Sequence, residues 1–157
     1  MIARTSIILV LILLFSGLGY AAELLSEEAF NHYNEGVRAQ KMRNFYRAQT
    51  SYQKAIILDR STQCKKFIFN NLGVIYAERG EVTKAELAFK EALKLDPDYQ
   101  TAAFNLTRMY LKLAVAYKDR GNRNKSLEFF EKAFSYYPTK AFIIEEEKKA
   151  KADNSGS

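Results

Sequence analysis

Small side chains return in a fixed frame along this chain, and no other feature limits its fold as strongly. Counting from Lys66, Gly73, Ala85 and Ala92 occupy positions 8, 20 and 27, while Phe69, Tyr76 and Phe89 occupy 4, 11 and 24 and Leu72, Gly80 and Pro97 occupy 7, 15 and 32. Two antiparallel helices approach closely only where side chains are small, and bulk beside those places fills the gaps that remain. A glycine between them supplies the turn, and a proline stops the second helix. Composition agrees with a helical reading. At 48% hydrophobic residues the chain is too apolar for disorder, and 7 Gly with 2 Pro are too few turn formers for an all-β domain.

The frame is legible on both sides of that stretch. Upstream, with Ala29 as position 1, His32, Gly36, Ala39, Ala48, Tyr52 and Ala55 fall at 4, 8, 11, 20, 24 and 27, although Arg60 stands where the closing proline belongs. The step from Ala48 to Ala85 is 37 residues, so three are inserted around Ser61 to Cys64. Downstream, with Thr107 as position 1, Gly121, Ser126, Phe130, Ala133 and Pro138 fall at 15, 20, 24, 27 and 32, and Tyr110 and Tyr117 at 4 and 11. A unit following directly on Pro97 starts instead at Gln100, with Leu106 at position 7. Seven residues separate the two frames, which is close to two helical turns and only about 20° of rotation, so one long helix satisfies both.

This pattern resembles the tetratricopeptide repeat family, whose signature the stretch 66–99 matches at nearly every place. The resemblance implies an all-α helical solenoid of about three helix-turn-helix repeats, near 29–62, 66–99 and 100–138, within a domain spanning 22–152. Apolar period and capping residues predict helices over 26–41, 45–59, 65–79, 82–95, 100–120 and 123–136, with Ser26 capping the first and Asn44 the second. Each pair leaves one apolar side for its neighbour, so a capping helix over 139–151 is expected to cover the end of the stack with Ala141, Phe142, Ile143 and Ile144. Residues 153–157 read as a disordered tail.

Residues 1–21 have a different character. Arg4 precedes the apolar run Ile7 to Phe15, and Gly19 and Ala21 put small side chains at the minus-three and minus-one places of a cleavage site, the layout of a secretory signal peptide. An uncleaved membrane anchor is the second reading, but Ser6 to Ala22 falls short of the roughly 20 apolar residues a spanning helix needs. Export implies a periplasmic or secreted protein and argues against a nucleic-acid partner; membrane contact is expected only if the leader stays uncleaved. It also makes Cys64, the only cysteine, open to a mixed disulfide or a disulfide-linked dimer, against the simpler reading of a reduced thiol beside a helix start.

Catalytic chemistry is scarce. One His and one Cys exclude ordinary multi-ligand metal sites, and the chain has no Gly-rich phosphate loop and no nucleophile with a matching His. His32 reads as a packing filler at position 4. The chain is therefore read as a non-enzyme with no cofactor and no metal.

The resemblance implies instead a concave wall, lined by the first helix of each pair, that holds a peptide or another protein. Position 6 carries Asn34, Asn71 and, in the frame starting at Gln100, Asn105, similar to the asparagine ladder of peptide-binding members; an amide both donates and accepts, so it can pair with any extended backbone. Phe30, Tyr33, Val37, Lys41, Phe67, Asn70, Val74, Arg108 and Lys112 are expected on the same wall. Tyr33 and Val37 stand where carboxylate-clamping members carry Lys and Asn, so a chaperone-type clamp is not expected.

The leading expectation is an exported scaffold or adaptor that binds a protein or peptide partner within a cell-envelope assembly. Two alternatives stand beside it. One is a structural subunit held through its convex face or stack end. The other is binding of a polyanion, an acidic polysaccharide or lipid headgroup, through the clusters Lys118, Arg120, Arg123, Lys125 and Arg38, Lys41, Arg43, Arg47, in a chain of net charge +6.

Overall fold

A computed structural model describes residues 26–59 and 64–136. The leader at 1–21, Arg60, Pro138, the capping helix expected over 139–151 and the tail at 153–157 lie outside the described residues. All regular structure within them is helical: α1 (26–41), α2 (Phe45–Leu58), α3 (Lys65–Glu78), α4 (Val82–Leu95), α5 (Gln100–Asp119) and α6 (Arg123–Ser135). Apart from the start of α1, where the described residues begin, each end agrees with the sequence reading to within one residue. The long helix is present as expected, with α5 running for 20 residues against 14 in each of α2, α3 and α4.

The described residues divide into two compact units between Ile68 and Phe69, inside α3. In the first unit α1 lies against α2. Gly36 explains how closely they meet, because a Cβ there would stand 2.5 Å from the Tyr52 ring. That ring is fully buried, and its hydroxyl donates to Gln40 Oε1 at 2.8 Å. Ala48 and Ala55, at positions 20 and 27, are likewise sealed.

The second unit repeats the device. A Cβ on Gly73 would lie 2.6 Å from the ring of Phe89 on α4, so the glycine is the space the ring occupies. Ala85, Phe89, Leu106, Met109, Tyr110 and Ala133 form one buried cluster that joins α4, α5 and α6, and Val74 of α3 packs on its edge. Tyr110 sits between Phe129 and Tyr136, with ring centroids at 6.1 and 6.2 Å. Thr107, also buried, donates its hydroxyl to the Tyr136 carbonyl at 3.0 Å and so ties α5 to the end of α6. In the third hairpin the position matching Gly36 and Gly73 is Ala114, fully buried, which the sequence reading did not single out.

All three hairpins turn in the same way. The amides of Asn44, Glu81 and Asn122 donate to the carbonyls of Ala39, Tyr76 and Tyr117, each at 2.9 Å, and the residue before each has positive φ. Two of those residues are Gly80 and Gly121; the third is Arg43, at φ 57°, whose left-handed backbone costs about 1 kcal/mol that glycine avoids. Asn44 and Asn122 then cap α2 and α6, accepting from the amides of Arg47 and Lys125 at 3.1 Å. Asn44→Ala is expected to lower stability by about 1 kcal/mol, measured as a reduced midpoint in urea unfolding.

Candidate functional site

The expected wall residues fall in both units. In the first unit Phe30, Tyr33, Asn34, Val37 and Lys41 stand on α1. Asn34 and Val37 are half-buried and Lys41 is exposed. Tyr33 leans on the Tyr52 ring at 6.2 Å and on Phe30 at 6.3 Å, so much of its surface serves packing. Phe67, at the start of α3, is partly exposed with the Lys66 ammonium 5.1 Å from its ring centre.

In the second unit the expected residues form a connected strip. Asn70 is buried on α3 and donates to Asn71 Oδ1 at 3.3 Å. Asn105 of α5 donates to Asn70 Oδ1 at 2.9 Å and accepts from Arg108 at 3.3 Å. The guanidinium of Arg108 also lies 5.8 Å from the Phe104 ring centre. Three amides and one cation therefore bridge the first helices of two successive hairpins. Lys112, one turn beyond Arg108, is exposed and shares a shallow hollow with Arg108, Leu111, Val115, Ala116 and Asp119.

Of the position-6 amides, Asn105 spends two of its four hydrogen-bonding capacities on Asn70 and Arg108. The bonds run through Asn70, which sequence placed on the wall without a bridging role. Phe104, which supports Arg108, was missed, because an aromatic one helical turn before a cation reads equally as core.

Other groups are structural in geometry. His32 is half-buried with Nδ1 3.6 Å from Glu35 Oε2, and Arg47 donates from two nitrogens to Glu35 Oε1 at 3.0 and 2.8 Å. That hydrogen-bonded guanidinium holds the Glu35 carboxyl below the usual carboxylate range. Cys64 sits beside the start of α3, where burial, reinforced by the Asp59 carboxylate, pushes its thiol up. The thiolate is the form that exchanges disulfides, so this site slows that reaction. Among the described residues no helix is long and apolar enough to cross a membrane, and no three His, Cys, Asp or Glu gather as a metal site.

Family models described as tetratricopeptide repeat match residues 67–99 and residues 107–140. Two stretches of the chain thus match tetratricopeptide repeats. The first covers the α3–α4 hairpin, and the second begins in the middle of α5 and takes in the α6 hairpin, the frame that starts at Thr107. Asn105 precedes this second repeat and still bonds across to the first. The fold is of the all-α tetratricopeptide solenoid class.

Similar curated proteins include photosystem I assembly protein Ycf3 of Rippkaea orientalis, 25% identical over 112 residues, and that of Cyanophora paradoxa, 27% identical over 112 residues. Each match covers 71% of this chain and 65% of the relative. Ycf3 of Acaryochloris marina is 32% identical over 80 residues, 51% of this chain and 48% of that protein. The chain thus spans less than two thirds of the length of these relatives. A crystal structure of MamA matches with a TM-score of 0.47 at 25% identity, covering 80% of this chain and 63% of that one.

Proposed function

We propose that this protein is a non-catalytic scaffold whose α3–α5 face holds a segment of another protein while a larger complex is put together. The observation that carries this reading is the strip Asn71, Asn70, Asn105, Arg108, in which exposed and half-buried polar groups are held by a hydrogen-bonded base on two repeats. Groups fixed in this way lose little further side-chain entropy on binding, so they suit recognition of a partner's backbone. The tetratricopeptide repeats support a protein-binding role, and relatives named for assembly support the process. Those relatives are assembly proteins of a photosystem and lend no support to the cell envelope as the site of assembly. Export to a periplasmic or extracellular location belongs to the same proposal and rests on the leader pattern at 1–21 alone.

The test uses the full chain as bait beside Arg108→Ala/Lys112→Ala, which alters exposed cations only, and Asn71→Ala/Asn105→Ala, with helicity checked by circular dichroism. Loss of at least about tenfold in recovered partner from one or both variants is expected, equivalent to about 1.4 kcal/mol. Equal recovery by the parent chain and both variants rejects this face.

A further inference from the structure

The two repeats differ at one turn in a way that exposes charge. In the α3–α4 turn, Arg79, Gly80, Glu81 and Lys84 stand at positions 14, 15, 16 and 19 of the repeat; in the α5–α6 turn, the same positions hold Arg120, Gly121, Asn122 and Lys125. The backbones correspond closely, with φ of 76° and 73° at the two glycines and the same 2.9 Å closing bond. Side chains correspond as well: Lys84 lies 5.6 Å from the Tyr76 ring centre and Lys125 lies 5.1 Å from that of Tyr117.

At the first of these turns a carboxylate sits between the cations. Glu81 accepts from Lys84 at 2.6 Å and pairs with Arg79 at 2.8 Å, and the bond from Lys84, with both positive charges, holds its carboxyl below the usual range. At the second turn Asn122 replaces that carboxylate with a neutral amide committed to capping α6. The position-19 cation of α2, Arg47, finds its carboxylate on Glu35; the corresponding place on α5 is Leu113. Arg123 adds a further charge where the other hairpins have Phe45 and Val82, and Lys118 is the penultimate residue of α5. The nearby acid, Asp119, lines the hollow that contains Arg108 and Lys112. Beside the cations an apolar hollow is lined by Leu127 and Phe130, with Lys118 and Arg123 on its rim.

We infer that the α5–α6 turn is a second docking site, which takes an acidic segment of a partner protein by seating one of its carboxylates between Arg120 and Lys125 as Glu81 sits between Arg79 and Lys84. Arg123 and Lys118 face neighbouring carboxylates of the segment, and the Leu127–Phe130 hollow receives an apolar side chain next to them. Stacking of Tyr117 on Phe129, at 5.5 Å and 8°, gives Arg120 and Lys125 a firm aromatic base. The site is separate from the Asn70–Asn105 strip and stands or falls without it.

The experiment measures fluorescence anisotropy of a labelled hexaglutamyl-leucine peptide, blocked at both ends, on the full chain at low salt. Asn122→Glu puts the missing carboxylate back and is expected to weaken binding about fivefold or more; Arg120→Gln/Lys125→Gln, which keeps the Asn122 cap, is expected to do the same, since it removes both cations that flank the seated carboxylate. Lys90→Gln/Lys94→Gln removes equal charge from cations that already pair with Glu86 and Glu91 and is expected to change binding less than about twofold. Unchanged binding by Asn122→Glu overturns the proposal, as does equal weakening by the Lys90/Lys94 variant. So does binding to phosphatidylserine vesicles without binding to the peptide.

Discussion

Gly73→Ala is expected to destabilise the second unit by about 2 kcal/mol, the net of two opposing effects. In a helix interior alanine is favoured over glycine by about 1 kcal/mol. Against this, the new Cβ arrives 2.6 Å from two ring carbons of Phe89, a side chain 1% exposed with no room to retreat. Overpacking of that kind costs about 3 kcal/mol. A decisive check is the double variant. Phe89→Ala alone is expected to cost about 4 kcal/mol, but it removes the obstacle, so Gly73→Ala in that background should turn stabilising by about 1 kcal/mol. Urea unfolding of the four proteins reads the cycle. If Gly73→Ala destabilises equally in both backgrounds, the contact between position 8 and position 24 does not set the closeness of α3 and α4.

Tyr110→Ala is expected to cost about 4 kcal/mol, because Tyr110 is buried at the centre of the cluster that joins α4, α5 and α6. Tyr110→Phe keeps the ring between Phe129 and Tyr136 and removes only the hydroxyl, which is expected to cost no more than about 1 kcal/mol at neutral pH. The two variants separate further in alkali. Burial first, then the Glu86 carboxylate, raises the Tyr110 phenol well above its ordinary value. The unfolded chain therefore gives up this proton more easily than the folded one. Its contribution is complete below the ordinary tyrosine pKa of about 10 and is lost as pH rises above it, by up to about 1.4 kcal/mol per pH unit. Parent-chain stability should fall more steeply than that of Tyr110→Phe above this pH. Parallel curves would remove Tyr110 as the cause.

Much of this architecture can be read in the residues because its physics is local or periodic. Gly80 and Gly121 mark turns because a left-handed residue is needed there, and Asn44 marks a helix start because its side chain satisfies an orphan amide. The continuous α5 follows from two frames seven residues apart that share one face. Arg43 shows where such reading stops: its positive φ is imposed by the same turn, yet nothing in its chemistry announces it. The asparagines show a second limit. Position 6 brought Asn71 and Asn105 to notice, but Asn70 is the residue that links them, and its neighbour on α5 lies 35 positions away. Likewise Glu81 and Asn122 look like two ordinary polar turn residues until Arg79 and Lys84 are seen to close around the carboxylate that the other turn lacks.

The residues by themselves determined where helices begin and end and which side chains had to be small, because helix period, capping and close approach act over a few positions and leave a repeating trace. Only the tertiary structure decided which polar groups join across α3 and α5 and that the cations of the α3–α4 turn close on Glu81 while Asn122 caps α6 at the α5–α6 turn. Those outcomes depend on distances between side chains far apart in the chain, and at such range one ångström separates a hydrogen bond from an open charge.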